Sequence, residues 1–176
     1  DPEMILTIRT DSDGQSSVDG AEFIGMEIGS AAEIWSFEAS NGFADAPPTA
    51  VDTDGDGQHD RVCWVTWSEE NILTRHGHAG CHDLGTNPSQ AWVKSLEREG
   101  GNTNDEIALS PAAWMDIDDS GEPELLVAFG RKVWAYDGED GTVADIWGGS
   151  ITVSHRTWAA PSFADIDGDA TLDMVI

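Results

Sequence analysis

Basic residues are scarce. Eight Lys and Arg, with Lys94 and Lys132 the only lysines, stand against 34 Asp and Glu, a formal net charge of −26 over 176 residues. A surface this acidic is repelled by phosphate backbones and anionic headgroups, which excludes nucleic acid and acidic membranes as partners. Long apolar runs are missing too. No stretch of 18 apolar residues occurs, so no membrane insertion by a spanning helix is expected. No secretory leader is visible. Nor is there a Gly-x-Ser-x-Gly elbow, a phosphate loop or a His-Glu-x-x-His motif, and nothing in the sequence anchors Ser154, His155 and Arg156 to a catalytic carboxylate. An enzyme is therefore the less favoured reading. Low aliphatic content with high charge can mark disorder, but eight Trp and short β-forming runs argue for a packed fold. Acid excess with so few lysines suits a saline habitat, where salt screens self-repulsion, or simply keeps the chain soluble.

The acids are not scattered. A nine-residue loop occurs three times: Asp52-Thr53-Asp54-Gly55-Asp56-Gly57-Gln58-His59-Asp60, then Asp116-Ile117-Asp118-Asp119-Ser120-Gly121-Glu122-Pro123-Glu124, then Asp165-Ile166-Asp167-Gly168-Asp169-Ala170-Thr171-Leu172-Asp173. Oxygen side chains stand at loop positions 1, 3, 5 and 9 each time. Position 7 (Gln58, Glu122, Thr171) adds a backbone carbonyl. Ca²⁺ takes six to eight oxygen ligands at roughly 2.3–2.6 Å, and alternate residues of a tight loop can turn their oxygens toward one point. About three Ca²⁺ ions are expected. A weaker fourth site is read at Asp11, Asp13 and Asp19, where Asp-Gly turn chemistry is also at home.

These are not EF-hands. An EF-hand loop runs twelve residues to a bidentate Glu between helices; position 12 here is Cys63, Val127 or Ile176. The flanks Val62-Cys63-Trp64-Val65, Leu125-Leu126-Val127-Ala128-Phe129 and Met174-Val175-Ile176 read as buried strands. Pro48, Pro111 and Pro161 stand four or five residues before each loop. The unit is strand, cation loop, strand.

The unit repeats. Glu3, in Asp1-Pro2-Glu3-Met4-Ile5-Leu6, matches position 9 of the second loop, so position 9 falls at Glu3, Asp60, Glu124 and Asp173, spaced 57, 64 and 49 residues apart. Trp35, Trp92 and Trp134 follow the first three loop ends by 32, 32 and 10 residues. The expectation is three units, 1–60, 61–124 and 125–176, with insertions near 11–30 and 68–88. The compact third unit reads as strands at 111–116, 124–130, 132–137 and 143–148. Four-stranded repeats of this period indicate an all-β, β-propeller fold: about three four-stranded antiparallel repeats in one segment of a larger propeller, since three blades do not close a ring. The alternative is a small open β array.

The loop pattern Asp-x-Asp-x-Asp-Gly-x-x-Asp between two strands resembles the FG-GAP/VCBS repeat family, whose blades are similar to those of integrin α-subunit heads. Residues 52–60 match it in full; Ser120 and Glu124 depart from it but keep oxygen, and Ala170 stands where Gly is usual. The Val133-Trp134-Ala135-Tyr136-Asp137-Gly138 stretch also looks like a quinoprotein-type blade. The resemblance implies calcium-stabilised scaffolding, cell adhesion or ligand binding, with an extracellular protein or glycan ligand, or further copies or blades of itself, as partner. The competing readings are a quinoprotein-like or polysaccharide-acting propeller enzyme and a subunit of an extracellular fibre or coat. An extracellular or cell-surface location suits sites of modest affinity, because Ca²⁺ there is millimolar.

Three smaller features remain. Cys63 and Cys81, the only cysteines, would form a disulfide stapling the 68–88 segment in an oxidising compartment, and would be separate thiols otherwise. His76-Gly77-His78-Ala79-Gly80-Cys81-His82 has metal-binding residue types but no closed zinc spacing, and reads mainly as a polar surface loop. Trp67 and Trp147, near turns, are either blade core or platforms for sugar stacking.

Overall fold

The computed structural model describes residues 3–10, 20–39, 42–44, 46–71, 74–85, 87–96, 110–155, 157 and 159–176. The described residues are all-β, in four antiparallel sheets laid out in sequence order. The first holds β1 (Glu3–Thr10), β2 (Gly20–Glu27) and β3 (Glu33–Ala39). The second holds β4 (Thr49–Val51), β5 (Arg61–Asn71), β6 (Thr74–Asp83) and β7 (Ser89–Leu96). The third holds β8 (Ala113–Met115), β9 (Glu124–Phe129), β10 (Lys132–Asp137) and β11 (Ser150–Thr152). The fourth pairs β12 (Ser162–Ala164) with β13 (Asp173–Val175). Each sheet is an up-and-down meander, and β4 and β8 lie side by side. This is a stretch of β-propeller, its blades stacked face to face. No helix among the described residues is long and apolar enough to cross a membrane.

Strand alternation builds two cores at once, because side chains of a strand point to opposite faces in turn. In β5, Val62 and Trp64 face the first sheet, where Phe23, Trp35 and Ala39 meet them. Cys63 and Val65 face the third sheet and pack with Leu125, Val127, Phe129 and Trp134. The run Val62–Val65 is apolar without alternation because both its faces are covered. Cys63 sits opposite Cys81 in the β5–β6 register, with Cα atoms 4.1 Å apart and a disulfide between them. The bond joins two strands of one blade.

The segments set apart in the sequence as insertions contain regular strands. Residues 20–27 are β2, and 74–83 are β6. Trp35 and Trp92 lie on the outermost strands β3 and β7, whereas Trp134 lies on β10, the third strand of its sheet. The extra residues in the first two units are therefore one strand and its turn. Strand β6 was hidden by its glycines. A Cβ at Gly77 would stand 2.8 Å from the Phe129 ring, and one at Gly80 would stand 2.6 Å from Trp64. Both glycines make room for aromatic rings, so the strand lacks the apolar pattern that announces one. The fourth strand of the third sheet also moves. Residues 143–148 do not form it; Val143 makes one bridge to Tyr136, a turn with positive φ at Gly148 and Gly149 follows, and β11 starts at Ser150. Strands β4 and β5, on either side of the first loop, share one sheet.

The first two blades meet around His82. Its ring stacks on Phe37 with centroids 3.9 Å apart, and Trp64 Nε1 donates to its Nδ1 at 3.2 Å. Burial lowers its pKa to about 4, below the unfolded value near 6.5. A histidine depressed in this way stabilises the fold above the unfolded pKa. The contribution is lost as pH falls through 6.5 toward 4, up to about 3 kcal/mol. Urea unfolding of wild type should therefore weaken more steeply between pH 6.5 and 4.5 than unfolding of His82→Asn. Parallel pH profiles would contradict this.

The second and third blades are clasped by Arg61, at the start of β5. Its Nε donates to Asp83 Oδ1 at 2.7 Å, and its Nη1 donates to the carbonyls of Gly138 and, at 3.2 Å, Glu139. Trp92 Nε1 shares the Gly138 carbonyl at 3.2 Å. Trp67 is partly buried, its ring centroid 4.6 Å from that of Phe43, so it belongs to the packing.

Candidate metal sites

Each acidic loop turns a hairpin, between β4 and β5, β8 and β9, and β12 and β13. Nearly the same hydrogen bonds recur in all three, the second loop differing in that its first carboxylate accepts from position 5 and not position 4. The position-1 carboxylate accepts two backbone N–H groups: Asp52 from Gly55 and Gly57, both at 2.7 Å; Asp116 from Ser120 at 3.0 Å and Gly121 at 2.9 Å; Asp165 from Gly168 at 2.7 Å and Ala170 at 3.0 Å. Position 3 accepts from the N–H of position 5, through Asp54, Asp118 and Asp167. Position 9 closes the loop by accepting the N–H of position 2. Asp60 takes Thr53 at 3.0 Å, Glu124 takes Ile117 at 2.8 Å, and Asp173 takes Ile166 at 3.0 Å.

This winding needs left-handed backbone at positions 4 and 6. Gly55, Asp119 and Gly168 hold φ of 75°, 60° and 81°, and Gly57, Gly121 and Ala170 hold 90°, 95° and 68°. Ala170 keeps the turn that its Cβ disfavours, at a cost of about 1 kcal/mol relative to Gly. The third loop thus retains the geometry despite its departure from the pattern.

The outcome is three triads, Asp52–Asp54–Asp60, Asp116–Asp118–Glu124 and Asp165–Asp167–Asp173, each with one oxygen per residue within 4.8 Å of the others. Two oxygens around one Ca²⁺ lie at most about 5 Å apart, so the triads fit a shared ion. An all-oxygen donor set suits a hard cation. At position 5 the side chains of Asp56, Ser120 and Asp169 accept the N–H of Gln58, Glu122 and Thr171 respectively. Gln58 Nε2 donates to Asp56 Oδ2 at 3.1 Å. Glu122 stands outside the second triad; the expected contribution of position 7, at Gln58, Glu122 and Thr171, is the backbone carbonyl.

The electrostatics differ between loops. The Gly57 N–H, with those of Gly55 and other loop residues, holds the Asp52 carboxyl below the ordinary range against the opposing effect of burial. It is thus ionised and ready for a cation. Glu124 is 6% exposed. Burial pushes its pKa up, the charges of Asp118 and Asp116 add to this, and the Ile117 N–H offsets part of it. A divalent ion there would reverse the balance by supplying the missing positive charge.

Other expected site residues fall elsewhere. Asp11, Asp13 and Asp19 lie outside the described residues. Cys81 is spent in the disulfide and His82 in the blade interface, while His76 is exposed and His78 half-buried. Two residues that sequence reasoning passed over stand beside the second loop. Arg61 and Trp114 line an open cleft of about 670 Å³ between the second and third blades. A lone basic residue directly after an acidic loop was the available signal for the first; none marked the second.

Comparison with known proteins agrees with this architecture. Residues 116–176, which hold the second and third loops, match the FG-GAP-like repeat family. The fold is similar to the crystal structure of rhamnogalacturonan lyase YesW, with a TM-score of 0.64 and 17% sequence identity over 99% of this chain. The likeness spans 37% of the lyase chain. A search of curated protein sequences found no match.

Proposed function

We propose that this chain is a calcium-binding β-propeller module of an extracellular or cell-surface protein, serving as a scaffold that presents a ligand-binding or adhesion surface. The observation that carries the reading is the threefold recurrence of one loop geometry. Three hairpins at equivalent places in successive blades gather the same three carboxylates by the same backbone hydrogen bonds. In the ion's absence each triad holds three acidic groups in mutual repulsion; Ca²⁺ neutralises them and fixes the strand pairing on either side. The Asp, Ser and Glu oxygens would hold the ion, and its role is structural. The disulfide agrees with an oxidising, extracellular setting.

Calorimetric titration of chelator-stripped protein should find about three Ca²⁺ per chain, with Mg²⁺ competing poorly because it demands shorter, octahedral coordination. Stoichiometry below one, or equal affinity for Mg²⁺, would contradict the reading. A second reading, a segment of a polysaccharide-acting enzyme, takes support from the lyase-like fold. Fold likeness at that identity carries no activity.

A further inference from the structure

One face of β6 carries two histidines that neither the core nor the cation loops use. Alternation puts His76, His78, Gly80 and His82 on the side of the second blade that looks toward the first, since Gly80 packs on Trp64 and His82 on Phe37. His82 is held in that blade interface. His76 and His78 lie beyond it, toward the turn between β5 and β6. Ser68 stands directly opposite His76, and Thr66 opposite His78, while Ser95 of β7 flanks His78 on its other side. Residues two apart on a strand are separated by about 6.7 Å. The His78 ring leans across part of that distance. Its Nε2 lies 3.4 Å from the hydroxyl of Ser68, which is the cross-strand partner of His76 and not its own. Burial, and after it the charge of His76, lowers the His78 pKa, which also marks the two rings as neighbours. Two imidazoles and one hydroxyl thus meet at one place, half-buried at His78 and open to solvent at His76.

We propose that His76 and His78 form a binding site for a divalent transition-metal ion, Cu²⁺ foremost. Imidazole nitrogen suits Cu, Ni and Zn, whereas the all-oxygen triads suit Ca²⁺. Two ligands about 2 Å from one ion lie roughly 3 Å from each other, a separation that rings two residues apart on one face reach by leaning together. Among the described residues no third His, Cys, Asp or Glu joins them in a cluster, so water completes the coordination. Two neighbouring nitrogens with water oxygens make the tetragonal N,O set that Cu²⁺ favours, while a closed zinc site needs four protein ligands. The Ser68 contact is long for a hydrogen bond, so His78 gives it up for an ion at little cost. The chain's charge of −26 draws divalent cations to the surface. The site is separate from the acidic loops. Asp60 adjoins the start of β5 and Ser68 lies toward its end, about 25 Å along the strand.

The test is titration of the whole chain with Cu²⁺ in saturating Ca²⁺, which keeps the acidic loops occupied, read by calorimetry and by electron paramagnetic resonance of the complex. One Cu²⁺ per chain should bind, more tightly than Ni²⁺ or Zn²⁺, and its spectrum should carry hyperfine splitting from two nitrogens. His76→Gln, at an exposed position, keeps the fold. It should raise the Cu²⁺ Kd at least about tenfold, the loss seen even when only a group that holds a ligand in place is removed. His78→Gln should do the same, and each variant should lose nitrogen splitting. Copper affinity unchanged in His76→Gln, a spectrum with oxygen ligands alone, or no saturable binding would overturn the proposal.

Discussion

Replacing Asp118 by Asn is expected to change the sign of its effect with calcium. Asp118 is exposed, and among the described residues its Oδ1 accepts the Ser120 N–H at 3.0 Å, a bond that an Asn oxygen can keep. The substitution therefore removes a charge and little else. In chelator, the change relieves repulsion within a triad whose oxygens all lie within 4.8 Å. Stability should be unchanged or slightly higher. With Ca²⁺ at a hundred times its dissociation constant, one intact site contributes about 2.7 kcal/mol, most of which the variant should lose. Asp54→Asn should behave alike, because Asp54 is also exposed and accepts the N–H of residue 56 in the same way. Denaturant titration of wild type and variants, with and without Ca²⁺, checks this. An equal loss in both conditions would mean that the carboxylates act through their backbone hydrogen bonds alone.

Removing the disulfide should have a comparable effect that ignores calcium. Cys63 and Cys81 are fully buried, directly opposed on β5 and β6, and 18 residues apart in sequence. Closing a loop of that length contributes about 3 kcal/mol by the chain-entropy relation. The double variant Cys63→Ala, Cys81→Ala also leaves space in the core between the second and third blades. Its melting temperature should fall by roughly 6–12 °C for a domain of this size. The drop should be the same in Ca²⁺ and in chelator, because the bond lies in the strands and not in the loops. A melting temperature within a degree or so of wild type would show that the unfolded chain gains nothing from losing the link.

The two variants probe the parts of the molecule that local sequence displayed best. The acidic loops were legible because every ligand lies within nine residues and the backbone hydrogen bonds that shape them are local. The strands on either side were legible because both faces of β5 and β9 are buried, leaving unbroken apolar runs. What escaped depends on distant neighbours. Strand β6 looks like a polar loop because Gly77 and Gly80 exist to admit Phe129 and Trp64, residues of another sheet and another strand. The Trp134 register misled because Trp35 and Trp92 lie on the outermost strand of their sheets, whereas Trp134 lies on the third of four strands in its sheet. Strand β11 begins later than expected because two glycines with positive φ extend the preceding turn. The Arg61 clasp and the cleft beside it join residues 77 positions apart. No spacing rule reaches that far.

The central claim is that folding and calcium binding are one process in the three loops. Thermal unfolding at matched ionic strength, with Ca²⁺ titrated against chelator and against Mg²⁺, tests it most directly. The expected result is a large rise in melting temperature, specific to Ca²⁺ and growing with its concentration, as required when a ligand binds only the folded chain. No shift, or the same shift with any salt, would mean that the loops are acidic turns. The charge of −26 would then act through ionic screening alone.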